Sequence, residues 1–362
     1  MRKNKPDKGL IICILSLFIL GLIILFSASF VISQENFGNS HHYFLHQLLY
    51  GGIIGLILFY IFSKIDYRFW KKISLLVLFI SLILLVLLFI PNLGYTHAGA
   101  QRWLIIGPLS FQPSEFLKLA FVIYLAAFLT KKEVQKGYTN TFIPFLILMG
   151  IIGGLMTLQS DAGTLGLIAI VGLIIYFISG ARLHQIAITL GMCAAGFFAL
   201  IKFFPHRMAR FIAFLNPSVD PQGISYQINQ ALLAIGSGGI FGIGLGRSAQ
   251  KYNYLPEPMG DSIFAIFAEE MGFAGVLVLI GLFFFLAFKG FRIAKKINND
   301  FGKLLSIGIT SWLVVQAMMN ICAISGLMPL TGIPLPFVSY GGSALAISLA
   351  GAGILVNISK HI

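Results

Sequence analysis

Seven residues of an otherwise apolar sequence could together form a chemical site: Arg102, Trp103, Glu115, Lys118, Asp161, Glu257 and Asp261. Carboxylates serve as general bases and as ligands for hard cations, and Arg and Lys bind phosphate groups. This mixture of charges suits a ligand that has an anionic head and further polar groups. The spacing of the seven residues alone does not identify that ligand.

Glu115 and Lys118 lie three residues apart, directly after Pro113 and Ser114, which are typical of a helix start. This spacing places a carboxylate and an ammonium within reach of each other on one helical face. In an apolar setting such charges must face a packed interior or a water-filled cavity. The pair is therefore either a structural ion pair or part of a polar site, and both interpretations remain open.

Arg102 and Trp103 fall in the connection at about 92–112, and Asp161 falls in the very short connection at about 159–164. A Trp near the end of a membrane span is most often an interfacial anchor, and an Arg beside it can bind lipid phosphate in general. Asp161 precedes Gly163, so a turn role is the structural alternative for it. Because that connection is very short, Asp161 must nevertheless lie close to both flanking helix ends.

The segment 242–272 is the most informative part of the chain. Its Gly-Ile-Gly-Leu-Gly run, 242–246, resembles part of a nucleotide-binding fingerprint, but no strand precedes it, so we reject that function. Asp261 precedes a long apolar helix, where it is either the N-cap or a functional carboxylate. Glu269 and Glu270 follow two turns further along, and we expect a structural role for them.

The elements that position these residues must be membrane spans. Of the 362 residues, 58% are hydrophobic and only 10% are charged, and the mean hydropathy is +0.92. A soluble domain carries roughly 25% charged residues, and a disordered chain requires low hydrophobicity, so both classes are excluded. The composition predicts a polytopic membrane protein.

The predicted fold is an all-α bundle of about ten transmembrane helices that forms a single domain over residues 1–362. A span needs ~20 mostly apolar residues, and ten segments qualify with approximate ends: 10–32, 48–62, 73–90, 113–129, 142–158, 165–179, 185–204, 263–288, 304–323 and 338–358. The longest connection, about 205–262, lies between the seventh and eighth spans. Its apolar stretches predict short helices that lie at the membrane surface or re-enter it.

The net charge of +13 is explained by where the basic residues lie. An even number of spans places both termini on one side, and the positive-inside rule makes the basic side cytoplasmic. The connections on that side hold 18 of the 25 basic residues: Arg2, Lys3, Lys5, Lys8, Lys64, Arg68, Lys71, Lys72, Lys131, Lys132, Lys136, Arg182, Lys289, Arg292, Lys295, Lys296, Lys303 and Lys360. The charge therefore predicts no nucleic-acid partner, and the candidate site lies outside the cell or at membrane depth.

Six segments together resemble the SEDS family (shape, elongation, division and sporulation): 102–103, 112–118, 159–164, 254–261, 269–270 and 336–343. They occur in the family's order over most of the chain. Segments 244–257 and 330–336 resemble the cell-division branch of the family more than its elongation branch. One departure is visible, because the family reads Pro-Glu-x-His-Thr-Asp where this chain has Met259 and Gly260 before Asp261.

The resemblance implies an inverting glycosyltransferase that polymerises lipid II, a disaccharide-peptide on a polyprenyl pyrophosphate, at the outer membrane face. It marks Asp261 as essential, and we assign this residue as the general base, with a metal-ligand role as the alternative. A divalent ion such as Mg²⁺ is expected, because metals that bind phosphate prefer carboxylate and water ligands. The implied substrate-binding residues are Arg102, Trp103, Glu115, Lys118, Asp161, Glu257 and Ser339.

Within that set, Lys118 and Arg102 would offset the charge of the leaving pyrophosphate. Glu115 and Asp161 would orient Lys118 or the divalent ion. The implied partner is a class B penicillin-binding protein, a transpeptidase, together with other division proteins at the septum of the bacterial cytoplasmic membrane. Two other functions remain open, a lipid II flippase and a non-catalytic division scaffold, since transporters also contain broken helices and intramembrane charges.

Overall fold

The computed structural model describes residues 4–90, 94–97, 100–106, 109–130, 138–203, 205–216 and 218–362, and most of them are helical. The helices are α1 (Lys8–Phe37), α2 (His42–His46), α3 (Ile54–Lys64), α4 (Tyr67–Leu87), α5 (Pro113–Leu129), α6 (Tyr138–Leu158), α7 (Ala162–Ile178), α8 (Leu183–Phe203), α9 (Pro205–Leu215), α10 (Tyr226–Ser237), α11 (Ile263–Lys296), α12 (Asp300–Ile324) and α13 (Gly342–Ser359). A π-helical segment, Gln47–Ile53, joins α2 to α3 without a break.

Eight described helices are long and apolar enough to cross a membrane, which confirms a multi-pass membrane protein. They are α1, the continuous His42–Lys64, α4, α6, α8, α11, α12 and α13. The predicted spans at 113–129 and 165–179 fall on α5 and α7, which have 17 residues each and lie at the lower limit for a span. Five of the basic residues predicted to be cytoplasmic lie outside the described residues: Arg2, Lys3, Lys131, Lys132 and Lys136.

The all-α prediction is wrong in the connection between α4 and α5. This segment forms an antiparallel sheet of three strands, β1 (Gly94–His97), β2 (Ala100–Ile106) and β3 (Leu109–Phe111), in the order β1-β2-β3. Leu104 of the central strand pairs with Gly94 on one side and with Phe111 on the other. A search for apolar runs of span length does not detect such short strands, although Trp and Ile favour them. The sheet fixes Arg102 and Trp103 in β2.

The core lies around α12 and α13. The most apolar stretch of α13 is 89% buried and that of α12 is 78% buried, whereas α8 lies at the edge and only 11% of its stretch is buried. Two glycines allow helices to approach closely. A Cβ at Gly290 would lie 2.0 Å from Thr310 Oγ1 of α12, and a Cβ at Gly353 would lie 2.5 Å from the Phe59 carbonyl oxygen. Such small-residue contacts are typical of helix packing in membranes.

The predicted short helices in the long connection are confirmed as α9 and α10. Helix α11 is interrupted at Gly272, whose φ is 64°. The amides of Ile243 and Gly244 donate to the free carbonyls of Glu269 and Glu270 at 3.0 Å each. These bonds satisfy the backbone at the break and fix the connection to the first turns of α11, directly after Asp261.

Candidate active site

Asp261 lies at the end of the long connection, next to α11. The N-cap interpretation of Asp261 is wrong, because the N-cap residue is Ser262 and its side chain forms no capping hydrogen bond. The Asp261 carbonyl accepts a hydrogen bond of 2.8 Å from Asn320 Nδ2. Its carboxylate Oδ1 accepts only long bonds, 3.4 Å from Gln227 Nε2 and 3.5 Å from Ser262 Oγ. The backbone is therefore fixed, while the carboxylate remains available to a ligand.

The surroundings make Asp261 a stronger base than an ordinary aspartate. Burial and the nearby charge of Glu257 raise the pKa of its carboxyl and Arg210 lowers it, with a net pKa of about 6. A carboxylate with a pKa near 6 is largely ionised at neutral pH and accepts a proton more readily than one with a pKa near ~3.9. Glu257 itself is exposed and lies four residues earlier in the same loop.

Backbone hydrogen bonds hold the loop before Asp261. Ser339 Oγ donates to the Gly260 carbonyl at 2.7 Å and accepts from the Leu335 amide at 2.8 Å. The Tyr340 amide donates to the Met259 carbonyl at 2.8 Å. The predicted substrate-binding residue Ser339 therefore has its hydroxyl engaged with backbone, and in this structure it positions the Asp261 loop.

Glu115 and Lys118 form a buried ion pair of 2.7 Å, and each side chain is only 1% exposed. The Lys118 ammonium also donates to Gln316 Oε1 at 2.8 Å. Gln316 Nε2 in turn donates to the Pro334 carbonyl at 2.8 Å. The pair thus connects α5 through α12 to the Gly332–Pro334 backbone beside Asp261, which gives it a structural connection to the site.

Arg102 of β2 contacts the turn between α6 and α7 that contains Asp161. Arg102 Nε donates to the Gln159 carbonyl at 3.4 Å, and its Nη2 donates to the Ser160 carbonyl. Asp161 is 4% exposed and accepts from the Thr164 amide at 3.2 Å, so it caps α7. Asp161 therefore lies in the turn between α6 and α7, close to the ends of both helices, as the sequence predicted.

Two further basic residues, Arg207 and Arg210 of α9, were missed from the sequence. Arg207 is 8% exposed and lies within electrostatic range of Arg102, Asp161 and Arg210. A Cβ at Gly332 would lie 4.0 Å from Arg210 Nη1 and 3.9 Å from Asp261 Oδ2, so these two groups flank the same glycine. The only sequence signal was the spacing of two Arg in an amphipathic stretch.

An apolar cleft of about 590 Å³ opens between α4 and α6. It is lined near the end of each helix by Phe79, Leu82, Val86, Ile151, Leu155 and Leu158. Beside it, Gln159 Nε2 donates to the Leu85 carbonyl at 3.1 Å and ties the two helix ends together. Arg102 bonds to the Gln159 and Ser160 carbonyls, so it contacts the turn that directly follows Leu158 of the cleft.

The described residues contain no group of three or more His, Cys, Asp or Glu side chains that could hold a metal ion. Near Asp261 the second carboxylate is Glu257. Mg²⁺ usually keeps several waters and uses one or two carboxylates together with substrate phosphates. The donor set therefore fits a divalent ion that arrives with a phosphate ligand, and it does not form a complete protein cage.

Glu269 and Glu270 take part in a separate buried network, which we call the loop clasp: Ser27, Ser248, Lys251, Glu269 and Glu270. Ser27 Oγ donates to Glu270 Oε1 and Oε2 at 2.6 and 2.7 Å, and Lys251 Nζ lies 3.2 Å from Oε1. The Ser248 hydroxyl donates to Glu269. The clasp joins α1, the long connection and α11, which agrees with the structural role expected for both acids.

Comparison with known proteins gives one consistent result. The family model described as "Cell cycle protein" (FTSW_RODA_SPOVE) matches residues 8–362. "Stage V sporulation protein E" of Bacillus subtilis is 40% identical over 364 residues, which cover 99% of this chain and 98% of the relative. "Probable peptidoglycan glycosyltransferase FtsW" of Trichlorobacter lovleyi is 39% identical over 360 residues, with coverage of 99% and 94%.

Two solved structures have the same overall fold. One, described as showing structural coordination of polymerization and crosslinking by a peptidoglycan synthase complex, has a TM-score of 0.82 at 26% identity and covers 98% of both chains. The rod shape determining protein RodA of Thermus thermophilus has a TM-score of 0.72 at 27% identity and covers 98% of this chain and 97% of the other. The fold expected from the sequence resemblance is therefore confirmed at the level of the bundle.

Proposed function

The chain belongs to the family of FtsW, RodA and SpoVE cell cycle proteins, and from this premise we propose that it polymerises lipid II into glycan strands. Relatives that match nearly the whole chain are named peptidoglycan glycosyltransferases. The observation that carries the proposal is Asp261, a half-buried carboxylate of raised pKa that lies beside Arg210. A base, an anion-binding group and a lipid-binding surface are the three parts that this reaction needs.

The Asp261 carboxylate accepts the proton from the 4-hydroxyl of the acceptor sugar. The oxygen then attacks the anomeric carbon of the donor sugar from the face opposite the pyrophosphate. As the new carbon–oxygen bond forms, the bond to the pyrophosphate oxygen breaks, and its electron pair leaves with the lipid pyrophosphate. The α-linked donor becomes a β-1,4 glycosidic bond, so the configuration inverts. A base with a pKa near 6 suits proton removal at neutral pH.

The leaving pyrophosphate requires positive charge that the active site supplies. Arg102 lies at the Gln159–Ser160 turn beside the cleft and is a direct ligand in this proposal. The Lys118 ammonium already bonds to Glu115 and Gln316, so we assign it mainly to the positioning of the Gly332–Pro334 backbone. A divalent ion, where bound by Asp261 and Glu257 together with the substrate, would neutralise part of the phosphate charge.

The polyprenyl chain of the substrate fits the cleft between α4 and α6. The lining residues are apolar, and the cleft opens at the surface of two spans. A chain bound there would have its pyrophosphate near Arg102 and its sugars near Trp103 and Asp261. We further propose ten spans with cytoplasmic termini, a septal location and a penicillin-binding protein partner. The similarity to a polymerising and crosslinking synthase complex supports the last of these, the partner.

A polymerisation assay with purified protein and lipid II tests the proposal. The Asp261→Asn variant should fold and form no glycan strands, whereas Asp300→Asn, which changes an exposed acid at the start of α12, should retain activity. Addition of the penicillin-binding protein partner measures whether it alters the rate. Strand formation by well-folded Asp261→Asn would refute the base assignment, and lipid II transport into sealed vesicles without strand formation would favour the flippase.

A further inference from the structure

Helix α9 is amphipathic, but its apolar face is turned outward and an arginine is turned toward the protein. Of its two arginines, Arg207 faces inward and is 8% exposed, while the apolar Met208, Ile212 and Leu215 are 37%, 41% and 65% exposed. These three residues follow the i, i+4, i+7 spacing of one helical face. The helix follows α8 almost directly, and the most apolar stretch of α8 is only 11% buried. The outward face of α9 therefore continues a lipid-facing surface.

The inward face of α9 adds positive charge to a site that already contains Arg102. Arg207 and Arg210 each lie within electrostatic range of Arg102, while Asp161 and Asp261 are the acids that face them. Like charges at close range disfavour one another, especially where they are buried. Burial lowers the pKa of Arg207, and Arg102 lowers it further while Asp161 raises it. Three guanidinium groups facing two carboxylates form a site that a multivalent anion would stabilise.

Arg102 interacts electrostatically with Arg207 and Arg210, and Arg210 interacts with Asp261, so the three arginines connect the Gln159–Ser160 turn with Asp261. Arg102 bonds to the Gln159–Ser160 turn at the end of the apolar cleft. Arg210 flanks Gly332 together with Asp261 Oδ2, at about 4 Å from a Cβ on this glycine. Arg210 is exposed, so a ligand can reach it. A molecule with an apolar chain in the cleft and a sugar at Asp261 would place the group that joins them at these arginines.

We propose that Arg207 and Arg210 of α9 bind the pyrophosphate of the polyprenyl-linked substrate, with Arg102 as the third ligand. This inference rests on the proposed function and assigns the anion-binding part of that site. The apolar face of α9 then stays in the lipid, while its arginines bind the pyrophosphate of the substrate and of the leaving group. Departure of polyprenyl pyrophosphate requires these contacts to break.

A binding measurement with polyprenyl pyrophosphate tests this assignment without catalysis. The protein is placed in phosphatidylcholine nanodiscs, and the dissociation constants for polyprenyl pyrophosphate and polyprenyl monophosphate are measured. Loss of a charge-assisted contact to phosphate is expected to weaken pyrophosphate binding by about tenfold in Arg210→Gln and in Arg207→Gln. Arg210→Lys should retain most of the affinity. The matched control is Arg247→Gln, which removes an exposed arginine from the same long connection.

The conservative variant Arg207→Lys is the control for a loss of folding at this buried position. If Arg207→Gln melts at a lower temperature than the wild type, the binding measured for Arg207→Lys and for the exposed Arg210→Gln decides the outcome. Nanodiscs with phosphatidylglycerol distinguish the two phosphate sources. The proposed pyrophosphate site is wrong if phosphatidylglycerol competes with polyprenyl pyrophosphate as strongly as lipid II does. It is also wrong if Arg210→Gln and Arg247→Gln bind polyprenyl pyrophosphate equally well.

The Asp261→Asn variant separates this inference from the proposed function. Its amide removes a negative charge beside Arg210, so in buffer with EDTA, where no divalent ion bridges Asp261 to the phosphate, pyrophosphate should bind at least as tightly as to the wild type. Polymerisation by this variant should be lost. If Asp261→Asn polymerises lipid II but the arginine variants bind weakly, the base assignment fails and the anion site stands. If Asp261→Asn is inactive but the arginine variants bind normally, the anion site fails and the base assignment stands.

Discussion

Replacement of Asp261 by Asn should make the folded protein more stable at neutral pH while it abolishes glycosyl transfer. Burial and Glu257 raise the pKa of the Asp261 carboxyl to about 6 in the folded protein, against the effect of Arg210. In the unfolded chain the group titrates near ~3.9. The folded state therefore holds this proton more tightly than the unfolded state. As the pH rises from about 4 to about 6, ionisation of Asp261 opposes folding.

The size of the effect follows from the difference in pKa. A shift of ~2 pKa units corresponds to ~3 kcal/mol, because one unit equals ~1.4 kcal/mol. Asp261 is not completely shielded from water, so screening reduces the effect to ~1–3 kcal/mol. Asn cannot ionise and lacks this penalty. The free energy of unfolding of Asp261→Asn should exceed that of the wild type above pH ~6, and the difference should vanish below pH ~4.

Thermal unfolding in detergent at several pH values measures this difference. The control is Asp300→Asn, which should show no gain of stability at high pH because Asp300 is exposed. The activity of the wild type should fall about tenfold per pH unit below pH ~6, as the base becomes protonated. Arg210→Gln should move that fall to higher pH, since Arg210 lowers the pKa of Asp261. Equal melting temperatures of wild type and Asp261→Asn at every pH would refute the raised pKa.

Three other perturbations have expected outcomes of their own. Glu115→Gln should lower the free energy of unfolding by ~3–5 kcal/mol because it leaves the buried Lys118 charge uncompensated, and addition of Lys118→Met should restore much of the melting temperature. Glu270→Gln should destabilise the loop clasp in the same way and be rescued by Lys251→Met; an additive double variant would contradict the pairing. Leu155→Trp should fill the apolar cleft and raise KM for lipid II with a long polyprenyl chain, while KM for a short-chain analogue should stay the same. Equal changes of KM for both substrates would exclude the cleft as the binding site of the polyprenyl chain.

Local patterns in the sequence were sufficient for the parts of the site that lie within one element. The three-residue spacing of Glu115 and Lys118 predicted their contact, because helix geometry alone places such residues together. The apolar runs predicted most of the spans, because a span depends only on ~20 mostly apolar residues in one segment. The sheet at Gly94–Phe111 was missed because its strands are short and the pairing involves non-adjacent residues.

Contacts between distant elements could not be predicted from one sequence. Lys118 reaches Gln316 across 198 positions, and Asn320 reaches the Asp261 carbonyl across 59. The approach of Arg207 and Arg210 to the carboxylates depends on how α9 packs after α8. An amphipathic pattern indicates that a helix has two faces, but it does not show which face is turned toward the protein. In a membrane protein the polar face can be the inner one, as it is here.

Met259 and Gly260, which stand where the sequence resemblance leads us to expect a His-Thr pair, contribute their backbone carbonyls to the loop. The Met259 carbonyl accepts from the Tyr340 amide, and the Gly260 carbonyl accepts from Ser339 Oγ. Any residue supplies a backbone carbonyl, so the hydrogen bonds that hold the loop do not depend on the two side chains. A neutral thioether and a hydrogen cannot transfer a proton. The base function of this loop in the proposed reaction therefore falls to Asp261, whose burial supplies the required basicity.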